Sequence, residues 1–218
     1  MPRQDAPVSP PVVLTIAGSD SGGGAGIQAD CKTIEAGGAF ATSAITSVTA
    51  QNTRGVRDSH HLPVDQIEAQ IEAILEDFEV AAVKTGMLAT SEVVKTVVGY
   101  ADRLPNLVVD PVMVAASGDR LLESDAESAY EDLIGEATLV TPNADEAAVL
   151  TGIDPDNEGE AREAGQRLVE MGAQAALVKG GHVPNPEVTD VLVTDETVDM
   201  LRHPRVDTDS THGSGCTL

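Results

Sequence analysis

The sequence predicts an α/β fold built around a mainly parallel sheet. Short, continuous, Val-rich runs alternate with helical patterns along the whole chain, and this order is typical of strands that are buried on both faces and linked by helices. The apolar runs are Val12–Ala17, Phe40–Val48, Val80–Lys84, Leu107–Val109, Thr138–Thr141, Ala175–Val178 and Val188–Val193. The length of 218 residues fits one large domain. We therefore expect a Pro-rich flexible tail over residues 1–11 and a single domain over residues 12–218.

The helical patterns lie between the apolar runs. In Val64–Phe78, the side chains of Ile67, Ile71, Ile74 and Leu75 recur on one helical face and acids occupy the other. Similar patterns occur near residues 26–36, 90–103, 125–135, 143–151 and 157–171. In a parallel sheet joined in this way, ligands bind at the carboxyl ends of the strands. The loops that follow the strands are therefore the places where functional residues are expected.

The charge is the outlying feature of the composition. The chain has 36 acidic and 13 basic residues, which gives a net charge of -23. Nucleic acid is excluded as a main partner because binding to phosphate backbones needs a basic surface, and an anionic membrane surface is excluded for the same reason. At about 1 M salt the Debye length falls to roughly 3 Å, so such a charge no longer opposes folding. We expect a halophilic protein whose folding depends on salt.

Targeting and redox signals are few. Cys31 and Cys216 form neither a disulfide framework nor a zinc-binding spacing. The first residues do not resemble a signal peptide, and no apolar window is long enough to span a membrane. We expect a cytoplasmic protein.

The first candidate functional loop is Ala17–Gly26, which follows a predicted strand. It contains Gly18, Gly22, Gly23, Gly24 and Gly26. Its glycines let a ligand approach the backbone closely, and the helix that follows is expected to offer unpaired N–H groups. It is neither a P-loop nor a complete dinucleotide-binding motif. A flexible turn is the alternative. Asp30 lies early in the same helix. Taken by itself, it is interpreted as a solvent-exposed helix acid and not as a ligand contact.

The second loop is Asp209–Leu218, where a Gly-x-Gly turn runs into an expected helix start. Consecutive backbone N–H groups in such a turn can hold developing negative charge in phosphoryl transfer. Cys216 would then lie at a helix N-terminus, which favours the thiolate. A buried structural cysteine after a turn is the alternative.

The third loop is Thr141–Glu146. Asn143 can cap the following helix with Glu146 as its capping-box partner. In a functional reading, the two side chains instead hold waters around Mg²⁺ on nucleotide phosphates.

Two further strand ends carry charged residues. Asp110 ends an apolar strand, where an unpaired carboxylate is costly, and Lys179 ends another beside two glycines. Together with the glycine loops, they indicate a kinase for a small molecule. The pair His60-His61 is read as part of a polar surface loop.

These motifs resemble those of the hydroxymethylpyrimidine/phosphomethylpyrimidine kinases of thiamine biosynthesis, in the ribokinase-like superfamily. The matching segments follow the order of the family and are Leu14–Asp20, Gly22–Asp30, Ile45–Thr53, Lys84–Leu88, Val108–Val114, Ser117–Asp119, Thr141–Asn143 with Glu146, Val178–His182 and Thr211–Leu218. The resemblance implies a three-layer α/β/α fold with a mainly parallel central sheet. It also implies ATP-dependent phosphorylation of 4-amino-5-hydroxymethyl-2-methylpyrimidine and then of its monophosphate.

The resemblance also implies roles for individual residues. The pyrimidine would lie near Gly18, Asp30, Thr49, Gln51, Met87 and Val112. Gly213, Ser214 and Gly215 would form an anion hole, and Cys216 would stand where most ribokinase-like enzymes carry an aspartate base. Asp110 and Glu146 would be the acids on the Mg²⁺ side, Asn143 and Glu146 would lie by the nucleotide, and Lys179 would contact phosphate.

Some expectations depart from the family or leave alternatives open. The family continues with helices beyond the Gly-Ser-Gly-Cys turn, so we expect a C-terminally truncated chain. We also expect a homodimer. A pyridoxal or pyridoxine kinase is the rival enzyme, because its substrate is also a hydroxymethyl-bearing heterocycle. A non-catalytic pyrimidine-binding module is the rival outside the enzymes.

Overall fold

A nine-stranded sheet organises the protein in the computed structural model, which describes residues 9–113, 128–180 and 187–205. The strands are β1 Val12–Asp20, β2 Phe40–Asn52, β3 Gly55–His61, β4 Val80–Thr85, β5 Leu107–Val109, β6 Leu139–Val140, β7 Ala175–Val178, β8 Glu187–Thr194 and β9 Val198–Pro204. The helices are α1 Gly26–Ala36, α2 Val64–Asp77, α3 Ser91–Gly99, α4 Ala129–Gly135, α5 Ala144–Thr151 and α6 Glu158–Glu170, with a 3₁₀ turn at Ala101–Arg103. Residues 1–8 of the predicted tail lie outside the described residues.

The sheet has the order β3-β2-β1-β4-β5-β6-β7-β8-β9. The six strands from β2 to β7 in this order run parallel, whereas β3, β8 and β9 pair antiparallel. Helices cover the sheet in the three-layer α/β/α arrangement, which confirms the predicted fold class. All six parallel strands end at one edge, and this edge carries the chemically active loops.

The core is aliphatic, as the scarcity of aromatic residues requires. Leu14 and Ile16 of β1, Ile67 and Ile71 of α2, and Leu168 of α6 are completely buried. Full burial of a side chain of this size stabilises the fold by about 1.5–3 kcal/mol. Each of the seven predicted apolar runs coincides with a strand, although β6 covers only the central two residues of the run Thr138–Thr141.

Two strands, β3 and β9, were not predicted. Both lie at the edges of the sheet and expose most of their side chains, so neither carries an apolar run. His60 and His61 are exposed, as predicted, but they end strand β3 and do not lie in a loop. The His61 ring nitrogen Nδ1 lies 2.8 Å from the Ser47 hydroxyl of β2.

No helix in the part of the chain that the structure describes is long and apolar enough to cross a membrane.

Candidate functional site

The first glycine loop is held in shape by one carboxylate. Asp20, the last residue of β1, accepts hydrogen bonds from the backbone N–H groups of Gly22, Gly24 and Ala25 at 2.7, 3.0 and 2.9 Å. These three donors, which precede α1, are therefore not available to an anionic ligand. The expectation of unpaired N–H groups in the helix itself stays a prediction. The loop is a fixed wall of the site, because a charged acceptor already satisfies its backbone.

Close backbone approach explains two of the glycines. Gly26 has φ +56°, and a Cβ there would overlap the carbonyl oxygen of Gly18. A Cβ on Gly18 would lie 2.6 Å from the Cε atom of Met87. The thioether of Met87, which follows β4, therefore fills the space that any side chain at position 18 would need.

The end of β2 adds polar side chains to this wall. The Thr49 hydroxyl lies 3.0 Å from the Ser19 carbonyl oxygen and 3.0 Å from Gln51 Oε1. The Ser21 hydroxyl donates to the Gln51 carbonyl oxygen and accepts from the Gln51 N–H group, at 2.7 and 2.8 Å. Gln51 is thus tied to the glycine loop. We call the Gly18–Gly26 loop, together with Thr49, Gln51 and Met87, the amide side of the site.

Charged residues occupy the next strand ends. The Lys84 ammonium group lies 2.9 Å from Asp30 Oδ1 and 3.9 Å from Asp110 Oδ2. The ammonium group of Lys179 lies 3.1 Å from the other oxygen of Asp110. All four side chains are largely buried, with exposures of 22% for Lys84, 12% for Lys179, 3% for Asp30 and 8% for Asp110. We call Lys84, Asp110, Lys179 and Glu146 the charged side of the site.

Asp30 is not a solvent-exposed helix acid, so the interpretation of this residue from its local sequence alone is wrong. It is buried on α1, and its second oxygen accepts a hydrogen bond of 2.6 Å from the Thr15 hydroxyl of β1. Both carboxylate oxygens therefore have partners, and Asp30 joins α1 to the sheet beneath it.

Asn143 and Glu146 form the capping box that one of the two sequence readings predicted. The Asn143 side chain accepts from the Glu146 N–H group, and Glu146 Oε2 accepts from the Asn143 N–H group, both at 2.9 Å. The Lys179 N–H group donates to the Pro142 carbonyl oxygen at 2.9 Å, which fixes the ends of β6 and β7 together. The capping box therefore holds Glu146 in place beside Asp110 and Lys179.

The carboxyl group of Glu146 is strongly perturbed. Burial, and then the charge of Asp110, raise its pKa from the ordinary value of about 4.5 to about 7. Burial and the charges of Asp110 and Glu146 also raise the pKa of the Tyr130 hydroxyl. Tyr130 is completely buried, and within the described residues its hydroxyl has no hydrogen-bond partner.

The charged side suits Mg²⁺ on nucleotide phosphates in its donor chemistry. Asp110 and Glu146 supply carboxylate oxygens, and the charge of Asp110 adds to burial in raising the pKa of Glu146. A divalent cation would relieve the repulsion between the two carboxylates. Within the described ranges no cluster of three or more His, Cys, Asp or Glu side chains could hold a metal ion. Mg²⁺ commonly binds through only one or two carboxylates and completes its shell with water and phosphate oxygens, so the residues fit such a site.

A cavity of about 350 Å³ with a mixed polar and apolar lining adjoins Lys179. Its walls come from the start of α6, the end of β7 and the start of β8, and include Asn157, Gly159, Gly180 and Thr189. The volume is at the lower end of the range for small-molecule sites.

The structure brings most of the predicted residues to one edge. Gly18 and Met87 are in contact, Thr49 and Gln51 are in contact, and Asp110, Glu146 and Lys179 form one charged group with Asn143 at its border. Val112 follows Asp110 after β5, and its N–H group donates to the Asp110 carbonyl oxygen at 2.8 Å. The predicted anion hole of Gly213, Ser214 and Gly215 and the predicted base Cys216 lie outside the described residues.

Two residues of the site were missed by the sequence reasoning. Lys84 bridges Asp30 and Asp110, and Tyr130 lies behind Asp110 and Glu146. Lys84 carried a usable signal: it is one of only four lysines and stands at the end of a buried strand. Tyr130 carried no comparable signal, because an isolated tyrosine on an apolar helix face reads as core.

The comparisons with known proteins agree with this geometry. The family described as Phosphomethylpyrimidine kinase matches residues 20–218. The hydroxymethylpyrimidine/phosphomethylpyrimidine kinase of Streptomyces coelicolor is 50% identical over 214 residues, which cover 97% of this chain and 79% of that protein. Among solved structures, the phosphomethylpyrimidine kinase of Clostridium difficile is 42% identical with a TM-score of 0.81, over 87% of this chain and 83% of its own.

A second enzyme class shares the fold. The pyridoxal kinase of Staphylococcus aureus, solved in complex with ADP, has a TM-score of 0.88 at 33% identity, over 96% of this chain and 78% of its own. Its lower identity makes it the weaker alternative. The match over residues 20–218 and the relatives at 42–50% identity decide the matter: the chain belongs to the phosphomethylpyrimidine kinase family.

Proposed function

We propose that this protein transfers the γ-phosphoryl group of ATP to 4-amino-5-hydroxymethyl-2-methylpyrimidine, and then to its monophosphate, in thiamine biosynthesis. The observation that carries the proposal is the division of one sheet edge into an internally hydrogen-bonded polar wall and an adjoining lysine–carboxylate cluster. The wall suits a neutral heterocycle, and the cluster suits phosphates and their counterion.

The pyrimidine would lie against the amide side. Gln51 offers both a donor and an acceptor to the edge of an aminopyrimidine ring. Gly18 and Met87 would provide a flat apolar surface for the ring, with Thr49 holding Gln51. Asp30 and Val112 are the remaining residues that we propose to lie near the pyrimidine. Asp30 would contribute its buried charge, which lies beside Lys84.

Phosphoryl transfer would occur on the charged side. The hydroxymethyl oxygen of the substrate attacks the γ-phosphorus, the bond from that phosphorus to the bridging oxygen of ADP breaks, and the hydroxyl proton passes to a base. We assign the base to Cys216 and the anion hole to the backbone of Gly213, Ser214 and Gly215. Lys179 would neutralise phosphate charge, and the cavity beside it would admit part of the nucleotide.

Asp110, Glu146 and Asn143 would hold Mg²⁺ by way of water molecules. When bound, the cation would neutralise phosphate charge. The protein's own part is to present the two carboxylates in fixed positions: the capping box sets Glu146, and the two lysines set Asp110.

The direct test is product analysis by mass spectrometry, with ATP, Mg²⁺ and the hydroxymethylpyrimidine in high KCl. Successive appearance of the monophosphate and the diphosphate is expected. Cys216→Ala should lose most of this turnover, while the matched variant Cys31→Ala should keep it. Absence of ATP turnover with the pyrimidine would support a binding module in place of an enzyme.

Pyridoxine kinase activity is the second candidate, because the pyridoxal kinase fold matches closely. Competition between pyridoxine and the hydroxymethylpyrimidine for phosphorylation decides between the two, and preference for pyridoxine would overturn the proposal. We further propose that the enzyme is a homodimer that acts in the cytoplasm. Light scattering of the purified protein tests the dimer.

A further inference from the structure

Lys84 bridges two buried carboxylates of the site, although the sequence analysis assigned it no role. Its ammonium group lies between a carboxylate on α1 and one that follows β5, at 2.9 Å from Asp30 and 3.9 Å from Asp110. The series Thr15, Asp30, Lys84, Asp110 and Lys179 thus crosses the edge from β1 to β7 through contacts of 2.6, 2.9, 3.9 and 3.1 Å.

The Lys84 ammonium group lies close to the backbone at Gly86. A Cβ on Gly86 would lie 3.0 Å from the Lys84 ammonium nitrogen and 2.9 Å from the Cβ of Ala17. Gly86 therefore clears the space that the ammonium group occupies.

The contacts on Asp110 are divided between two lysines. Lys179 contacts Oδ1, together with the Thr141 hydroxyl at 3.5 Å, and Lys84 lies on the side of Oδ2. Since Asp110 is buried and Glu146 repels it, removal of one lysine would let the carboxylate move toward the other. Lys179 would then be drawn out of position as well.

We propose that Lys84 is a positioning residue for phosphoryl transfer, which holds the Asp110 carboxylate, and through it Lys179, in the orientation that the reaction needs. This inference rests on the proposed function for its kinetic test. A displacement of about 1 Å in a reacting group can cost roughly 100-fold in rate, so a positioning residue is expected to affect kcat.

The competing explanation is that Lys84 only neutralises the buried charge of Asp30. A comparison on two backgrounds separates the explanations. Lys84→Met is made in the wild type and in Asp30→Asn, where the charge that needs neutralising is gone. Lys95→Met, which removes an exposed lysine of α3, is the matched control and should leave both kcat and the melting temperature unchanged.

In the wild type, Lys84→Met is expected to lower the melting temperature and to lower kcat at least tenfold. In the Asp30→Asn background, it should leave the melting temperature nearly unchanged and still lower kcat at least tenfold, with a change of less than threefold in the KM for the pyrimidine. A loss of less than threefold in kcat on that background would overturn the proposal, because charge neutralisation would then be the whole role of Lys84.

Calorimetric titration with ADP gives a readout that needs no pyrimidine turnover. Lys84→Met in the Asp30→Asn background should weaken ADP binding at least fivefold, because Lys179 is no longer held for phosphate. If this loss occurs although the wild type phosphorylates no pyrimidine, the proposed function fails and the assignment of Lys84 stands. If the parent phosphorylates the pyrimidine and neither ADP affinity nor kcat responds to Lys84→Met, the proposed function stands and the assignment of Lys84 fails.

Discussion

The amide side and the charged side lie on the same sheet edge, but they satisfy their polar groups in opposite ways. On the amide side the Asp20 carboxylate accepts from three backbone N–H groups, and Thr49 contacts Gln51. On the charged side, burial, and then the charge of Asp110, raise the pKa of Glu146 to about 7. One region is complete without a ligand, whereas the other is left with electrostatic repulsion that a ligand can relieve.

This difference indicates how the two substrates would be recognised. A preformed, internally bonded wall selects by shape and hydrogen bonding and should respond little to salt. A cluster of charges gains most from ligands of high charge and should respond to charge-changing mutations. Mutations on the charged side are therefore expected to act on kcat, and mutations on the amide side on pyrimidine affinity or on stability.

The largest effect is expected from Lys179→Met. Loss of its ammonium group would remove a charge that faces phosphate and would free one oxygen of Asp110, so kcat should fall about 100- to 1,000-fold. The KM for the pyrimidine should change less than threefold. Steady-state kinetics check this, with Lys95→Met as the control. A large rise in the KM for the pyrimidine at unchanged kcat would contradict the division into two sides.

Asp20→Ala should affect stability more than chemistry. The variant loses three hydrogen bonds to a carboxylate, and such bonds contribute about 1.5–3 kcal/mol each when buried. Because water can reach part of the loop, we expect a total loss of about 2–4 kcal/mol in the free energy of unfolding. Urea denaturation measures it, and Asp102→Ala, at an exposed position, is the control. Equal stability of the two variants would mean that Asp20 does not hold the loop.

The strands that could be predicted from the sequence are those whose burial requires a continuous run of apolar residues. β1, β4 and β7 are continuous apolar runs because both of their faces are covered. β9 exposes nearly every side chain and therefore reads as a loop. The salt dependence expected from the net charge of -23 stays a prediction, since the fold itself does not test it.

The sequence identified individual residues of the site, but it did not predict which of them contact each other. Asp110 and Lys179 were identifiable because charged residues at the ends of buried strands are costly unless they are paired. Glu146 was identifiable from its capping-box spacing to Asn143. The pairing of Asp30 with Lys84 joins α1 to β4 across 54 positions of the chain, and only the order of the strands brings them together. The bonding of Asp20 to its own loop was missed because a glycine-rich turn reads as flexible when its acceptor is not identified.

Gln51→Ala tests whether the amide side binds the pyrimidine independently of the charged side. Removing one partner of a buried hydrogen bond costs about 1–3 kcal/mol, which corresponds to roughly 5- to 150-fold in affinity. Pyrimidine binding should weaken by this amount in calorimetry, while ADP affinity should not change. Unchanged pyrimidine affinity would remove Gln51 from the substrate site, and an equal loss of ADP affinity would show that the two sides are not independent.

The smallest effect concerns the titration of Glu146. Its pKa is raised in the folded protein, from about 4.5 to about 7, so the folded state binds a proton that the unfolded chain has already released between these values. The associated stabilisation is fully present below pH 4.5 and is lost as the pH rises through 7. One proton corresponds to about 1.4 kcal/mol per pH unit. From pH 5 to pH 8, the wild type should therefore lose about 2 kcal/mol of unfolding free energy relative to Glu146→Gln.

Glu146→Gln isolates the effect of this titration, because glutamine preserves the capping box and stays neutral at every pH. Urea denaturation of both proteins at pH 5, 6, 7 and 8, with EDTA and without nucleotide, measures the difference, and contributions from all other titrating groups are common to the two proteins. A difference that grows with pH in favour of Glu146→Gln is expected. A constant difference would mean that Glu146 is already ionised at pH 5, so that its contacts with the Asn143 and Met113 N–H groups outweigh burial and the charge of Asp110. The electrostatic contrast between the two sides would then be much smaller than the geometry indicates.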